Sequence, residues 1–150
     1  MTDMRFVDTN ILLYSISRDP RERFKREKSV LLLDQDDWAL SVQVLQEFYV
    51  QATHVSRPDP LSHEEASKLI HSWLRFRVQE ITVIVLRRAL EIREKYGFSY
   101  WDSAIIAAAH VAGCQEIYSE DMSHGHKVDG ITLINSFLQS AGVWPPPRSP

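Results

Sequence analysis

A single cysteine, Cys114, stands among 150 residues, so the chain can close no internal disulfide and build no cysteine-rich zinc site. Glycine is scarce too. There are five, all after residue 96, so the first two thirds are expected to be regular elements joined by short turns. No stretch approaches the ~20 apolar residues that a bilayer requires; the longest weakly polar run, Ala104 to Cys114, is interrupted by His110. Positive charge is not in excess: 17 Lys and Arg stand against 20 Asp and Glu, a net charge of −3. That excludes a wholly basic nucleic-acid coat protein, though not a local basic patch. The N-terminus offers no apolar leader core, since Asp3, Arg5 and Asp8 stand where one would lie. These absences predict a soluble, cytoplasmic protein with no membrane partner.

What is present is an ordinary globular composition, 44% hydrophobic and 25% charged. The length suits one domain, expected over residues 1–144 and able to bury roughly 70% of its unfolded surface. A Pro-rich tail at 145–150 is predicted to be disordered.

Arg5-Phe6-Val7 reads as a short buried strand ending at Asp8-Thr9-Asn10, with Thr9 or Asn10 as the N-cap of a helix through Ser15. Pro20 opens a helix over 21–35, basic at its start and apolar at its end. Trp38–Ser41 is a second strand, and Ser41 caps a helix striped by Leu45, Phe48, Tyr49 and Ala52. Ser62-His63-Glu64-Glu65 matches a capping box. A strand near Val78–Ile81 precedes a helix over 83–96 that Gly97 stops, and Ser99 opens a helix over 100–111 that Gly113 stops. Glu116–Tyr118 and Ile131–Ile134 complete the strands. Strands alternating with helices predict a three-layer α/β/α sandwich with a mainly parallel sheet, whose ligand crevice lies at the strands' C-terminal edge.

Asp8 and Asp121 follow two of these strands and so fall at that edge, as site residues or as turn and cap residues. Asp102 shares a helix face with Ile105, Ile106 and Ala109, where a charge wants a partner or a metal. It is equally the fourth residue of a Ser99-x-x-Asp102 capping box. Glu47 shares a stripe with Gln43, Gln51 and His54, the pattern of a solvated face.

Phe6-Val7-Asp8-Thr9-Asn10, Glu47 in Val44–Tyr49, Ser99-Tyr100-Trp101-Asp102-Ser103-Ala104 and Tyr118-Ser119-Glu120-Asp121-Met122 follow one another in a telling order. In combination they resemble the PIN-domain ribonucleases, and in particular the VapC-type toxins of bacterial toxin–antitoxin pairs. The resemblance runs from residue 4 to about 138. It departs at Asn135-Ser136-Phe137, where Asn-Pro-Phe is common, and at His126, where Gln is frequent.

The resemblance implies that Asp8, Glu47, Asp102 and Asp121 form an acidic quartet holding divalent metal, with Thr9, Asn10, Ser103 and Ser119 supporting them by hydrogen bonds. Clustered carboxylates need a cation, and an all-oxygen set suits Mg²⁺ or Mn²⁺. The implied reaction is RNA hydrolysis by an activated water, leaving 5′-phosphate and 3′-hydroxyl ends. One or two ions fit the reading equally. The implied partners are an RNA substrate (transfer RNA or a ribosomal RNA loop), a cognate antitoxin seated on the early helices, and a second copy in a homodimer. The aromatic and aliphatic residues of those helices, Tyr14, Phe24, Leu31–Leu33, Phe48 and Tyr49, are expected mostly in the core.

Arg21, Lys25 and Lys28 recur at helical spacing, as an RNA-backbone contact or as a solvated, ion-paired face. His124-Gly125-His126 offers a rival zinc site without the accompanying pattern of a zinc protein. Two other function classes compete. One is a haloacid dehalogenase-type phosphatase, which needs Asp-x-Asp where this chain has Asp8-Thr9-Asn10. The other is a non-catalytic protein- or RNA-binding module on the same fold.

Overall fold

A computed structural model describes residues 4–138; the predicted tail at 145–150 and the domain boundary at 144 lie outside the described residues. The elements run β1 (Arg5–Val7), α1 (Thr9–Ser15), a 3-10 turn (Pro20–Glu22), α2 (Arg23–Leu33), β2 (Trp38–Ser41), α3 (Val42–Ala52) and α4 (His63–Trp73). They continue with β3 (Arg77–Gln79), α5 (Val83–Tyr96), α6 (Tyr100–Val111), β4 (Glu116–Tyr118), β5 (Lys127–Val128) and β6 (Ile131–Ile134).

The six strands make one sheet in the order β3-β2-β1-β4-β6-β5, parallel except for the β5–β6 pair. The chain starts in the middle, steps outward through β2 and β3, then returns to lay β4 on the other side of β1. That reversal opens a crevice at the C-terminal ends of β1 and β4. Helix α6 lies against β2, β3 and β4 with α5 packed on it, while α1 packs on α2 and α3, and α3 on α4 and β2. Residues Ser103 to Ala109 of α6 are all buried, which is why its small and aliphatic residues run all round the helix rather than in a stripe. The expected three-layer α/β/α architecture is the observed one.

Local chemistry explains the boundaries. Ser41, Ser62, Thr82 and Ser99 each cap the helix that follows, and Ser62 with Glu65 completes the capping box. Gly97 ends α5 at φ 78°, a left-handed conformation that a side chain would oppose.

Four boundaries depart from the sequence reading. The N-cap of α1 is Asp8, not Thr9 or Asn10: its extended backbone lets its own carboxylate accept from the Thr9 N–H. The helix expected over 21–35 is split, because Asp19 caps a separate 3-10 turn and α2 begins only at Arg23. β3 spans 77–79 rather than 78–81, since only Arg77 to Gln79 pair with β2. β5, with two residues, is too short for any periodicity to announce it.

At the opposite edge from the crevice, Arg5 is 1% exposed. Its Nε and Nη2 fork onto the two oxygens of Asp37 at 2.6 and 2.9 Å, and Nη1 donates to the Tyr118 hydroxyl at 3.3 Å. Nη2 also donates to Gln35. The guanidinium lies 4.3 Å from the centre of the Trp38 ring. Three neighbouring strands are thus pinned through one buried cation.

Candidate functional site

Asp8 leaves β1 with its N–H on the Tyr118 carbonyl at 3.0 Å, and Ser119 leaves β4 with its N–H on the Ile134 carbonyl at 2.9 Å. Strand register therefore sets Asp8 beside Ser119, 111 residues apart in sequence. The Ser119 hydroxyl accepts from Asn10 Nδ2 at 3.1 Å and from the Asp121 N–H at 3.2 Å. Its own proton is then committed to Asp8 Oδ2, 2.7 Å away. The other Asp8 oxygen accepts the Thr9 N–H at 2.7 Å. Asn10 uses its whole amide: Nδ2 reaches Asp121 Oδ2 at 3.1 Å as well as Ser119, and Oδ1 accepts the Glu120 N–H at 3.2 Å.

Glu47 enters from α3. Thr9 Oγ1 donates to its Oε2 at 3.0 Å and Gln43 Nε2 to its Oε1 at 3.2 Å. Gln43 also donates to the Trp101 carbonyl at 3.2 Å, tying α3 to the first turn of α6. Asp102 sits in that turn, partly buried, its N–H donated to the Ser99 hydroxyl at 3.1 Å. Gln51 lies exposed on α3 one turn beyond Glu47, but His54 falls past the end of that helix, and Glu47 itself is half-buried and held from α1, an element that its own helical pattern cannot report.

Electrostatics ties Asp8 and Asp102 each to the other two acids. Burial pushes the Asp8 carboxyl up to about 6; the Ser119 and Thr9 hydrogen bonds oppose this, and the charges of Glu47 and Asp121 add to it. Burial likewise raises Asp102, with Asp121 and Glu47 adding to the effect while Ser99 opposes it. So buried Asp8 and partly buried Asp102 feel the same two neighbours.

The supporting residues divide. Thr9, Asn10 and Ser119 bond to the acids as described, whereas Ser103 is fully buried and its hydroxyl has no hydrogen-bond partner. The basic residues do not share one helix face. Arg21 belongs to the 3-10 turn and pairs with Asp19, Lys25 pairs with Glu120, and Lys28 stacks 4.0 Å over Phe24. His124 Nδ1 accepts the Asn135 N–H, and the His126 ring packs on Tyr96 and Phe98. The Asn135 side chain accepts the Phe137 N–H at 2.9 Å, making the turn that Asn-Pro-Phe would otherwise make. Cys114 is no nucleophile, since burial pushes its thiol up to about 12. Sequence reasoning missed Tyr14 and Glu120 as neighbours of the site; the only signal was the place of Glu120 between Ser119 and Asp121.

The donor set fits a hard divalent cation. All its atoms are oxygens, and the charges of Glu47 and Asp121 raise the proton affinity of Asp8 and Asp102, a strain that a cation relieves. Among the described residues no three His, Cys, Asp or Glu side chains close on a common point. The fit is therefore to an ion that keeps several waters between itself and the protein, as Mg²⁺ does.

The linkage has a sign. Native Asp8 holds its proton up to about 6 against about 4 in the unfolded chain, so its contribution to stability is full below pH ~4 and is lost as pH rises through 6. Chelator-treated protein is expected to lose on the order of 2–3 kcal/mol from this group between pH 4 and 6.5. Saturating Mn²⁺ is expected to reverse much of that loss above pH 6.5. Urea unfolding across this pH range, with and without Mn²⁺, measures both; an equal decline in Asp8→Asn would exclude Asp8 as the source.

Comparison with protein families matches the PIN domain over residues 5–127, and the chain belongs to that family, not to the phosphatases that Asp8 alone would allow. Comparison with curated proteins finds no match. Among solved structures, a toxin–antitoxin complex from Klebsiella pneumoniae is 18% identical with a TM-score of 0.64, covering 85% of this chain and 95% of that one. VapC20 from Mycobacterium tuberculosis, a sarcin-ricin loop cleaving toxin, is 20% identical with a TM-score of 0.59, covering 75% and 86%. VapBC2 from Rickettsia felis, bound to a promoter DNA fragment, is 18% identical with a TM-score of 0.59, covering 87% and 96%. Among the described residues no helix is long and apolar enough to cross a membrane.

Proposed function

We propose that this chain is a Mg²⁺- or Mn²⁺-dependent endoribonuclease of the VapC toxin type, acting in the cytoplasm and silenced by a cognate antitoxin. The observation that carries the reading is that the charges of Glu47 and Asp121 bear on both Asp8 and Asp102 beside the β1–β4 crevice, with no cation among the groups that shift either. PIN-family membership supports it, as do structural relatives that include an RNA-cleaving toxin and toxin–antitoxin complexes.

Asp8, Asp102 and Asp121 would hold the cation, directly or through water, and Glu47 would hold a second ion or orient the attacking water. When bound, the ion supplies the Lewis acidity that activates water and offsets charge on the phosphate. The chain's own groups do the rest. Ser119 and the Thr9 N–H fix both oxygens of Asp8, Asn10 aims Asp121, and Thr9 with Gln43 aims Glu47. Four unneutralised acids would repel a polyanion, so RNA approach and cation binding are coupled.

The antitoxin reading draws support from α2, where Phe24 and Leu31 are 46% and 50% exposed rather than in the core. A helix or strand laid across α2 would cover them. The homodimer is carried by the family resemblance. Arg21 and Lys28 remain proposed backbone contacts.

The test is incubation of antitoxin-free protein with total RNA in Mg²⁺, Mn²⁺ or chelator. Discrete fragments with 5′-phosphate ends, formed only with metal, are the expected result. Intact RNA in the presence of folded, metal-loaded protein would favour the non-catalytic module.

A further inference from the structure

Glu120 stands between two members of the site, yet its carboxylate is drawn elsewhere. The Tyr14 hydroxyl donates to one of its oxygens and the Lys25 ammonium pairs with the other. Tyr14 lies one turn of α1 beyond Asn10, roughly 6 Å along the helix from the end where the quartet gathers. Lys25 is set by more than charge: its Nζ lies 4.9 Å from the centre of the Tyr14 ring and 5.7 Å from that of Phe137. The Phe137 ring meets Tyr14 edge-on at 5.2 Å. Meanwhile the Glu120 N–H is held by Asn10 and the Asp121 N–H by Ser119. The backbone of this loop thus faces the crevice while the Glu120 side chain is carried off along α1.

A fifth free carboxylate beside Asp121 would be another oxygen donor for a hard cation and would compete to place it. We infer that Lys25 and Tyr14 are positioning residues that hold Glu120 out of the crevice, so that four acids rather than five face the cation. This rests on the proposed metal-dependent reading.

The test is Mn²⁺ affinity by calorimetry, without RNA, for wild type, Lys25→Met, Glu120→Gln and the double variant, beside single-turnover RNA cleavage. Lys25→Met is expected to bind Mn²⁺ at least tenfold more tightly, because released Glu120 joins the donors, and to cleave about tenfold more slowly because the ion is displaced. Glu120→Gln alone is expected to weaken Mn²⁺ binding threefold or less. The double variant is expected within threefold of wild type. Should Lys25→Met fail to fold, Tyr14→Phe removes the other hold on Glu120 and is expected to tighten binding by a smaller factor.

Equal and opposite shifts in the two single variants would mean two independent charges and overturn the inference. So would unchanged Mn²⁺ affinity in Lys25→Met, or a wild-type chain that takes up no Mn²⁺. A raised KM for RNA as the sole effect of Lys25→Met would make that lysine a phosphate contact instead. Absence of RNA cleavage in every protein, with the Mn²⁺ pattern intact, would defeat the ribonuclease reading and leave the inference standing.

Discussion

Asp102→Asn is expected to lower metal-dependent RNA cleavage about a thousandfold, which corresponds to ~4 kcal/mol of lost transition-state stabilisation. The melting temperature is expected to move little. Asp102 is the cleanest of the four acids to alter. Asp8 is buried and caps α1 with its side chain, so its replacement disturbs a helix end as well as the site. Its partner Ser119 already accepts two hydrogen bonds, so an amide nitrogen at position 8 would face a hydroxyl with no acceptor to spare. The structural duty of Asp102 is performed by its backbone N–H on Ser99, which Asn retains. Cleavage rates over a Mg²⁺ series, beside a thermal melt, decide the matter. A variant that cleaves within tenfold of wild type would remove Asp102 from the metal site and leave it a capping residue.

Arg5→Ala is expected to destabilise the fold by ~3–5 kcal/mol, the cost typical of removing one partner from a buried ion pair. The guanidinium is enclosed by Asp37, Tyr118, Gln35 and Trp38, so its loss takes the cation from beside Asp37 and leaves a hole under β1 and β4. Arg5→Lys is expected to recover little, since a single ammonium cannot reproduce the fork or the stacking on Trp38. Urea unfolding gives the number. Because the cluster lies at the far edge of the sheet, whatever protein remains folded is expected to bind Mn²⁺ as wild type does. A loss below 1 kcal/mol would mean that the buried charge is repaid elsewhere.

These two residues mark what a sequence can and cannot disclose. Asp102 was legible because it combined a helix cap, an otherwise apolar face and a recognisable sequence setting. Arg5 was not, since its partners lie 30 to 113 residues away and strand pairing alone brings them near. Glu47 was reached through its sequence setting and not through periodicity: a helical stripe reports neighbours on one helix, and Thr9 donates to it from 38 residues earlier. Lys25 looked like one cation in a stripe because Glu120 lies on the other side of the sheet order. The strands and helices themselves were readable where a capping residue or a glycine punctuated them. They blurred at the 3-10 turn and at β5, where two or three residues carry too little pattern.

The site also has a history within each molecule. Asp8, Thr9 and the Glu47 that Thr9 holds come early in the chain, but Asp8 acquires Ser119 only once β4 has seated against β1. A ribosome has therefore joined 121 residues of this sequence before the last acid exists, and the strand ahead of that acid must still clear the exit tunnel and dock. Until then a growing polypeptide holds carboxylates but no crevice.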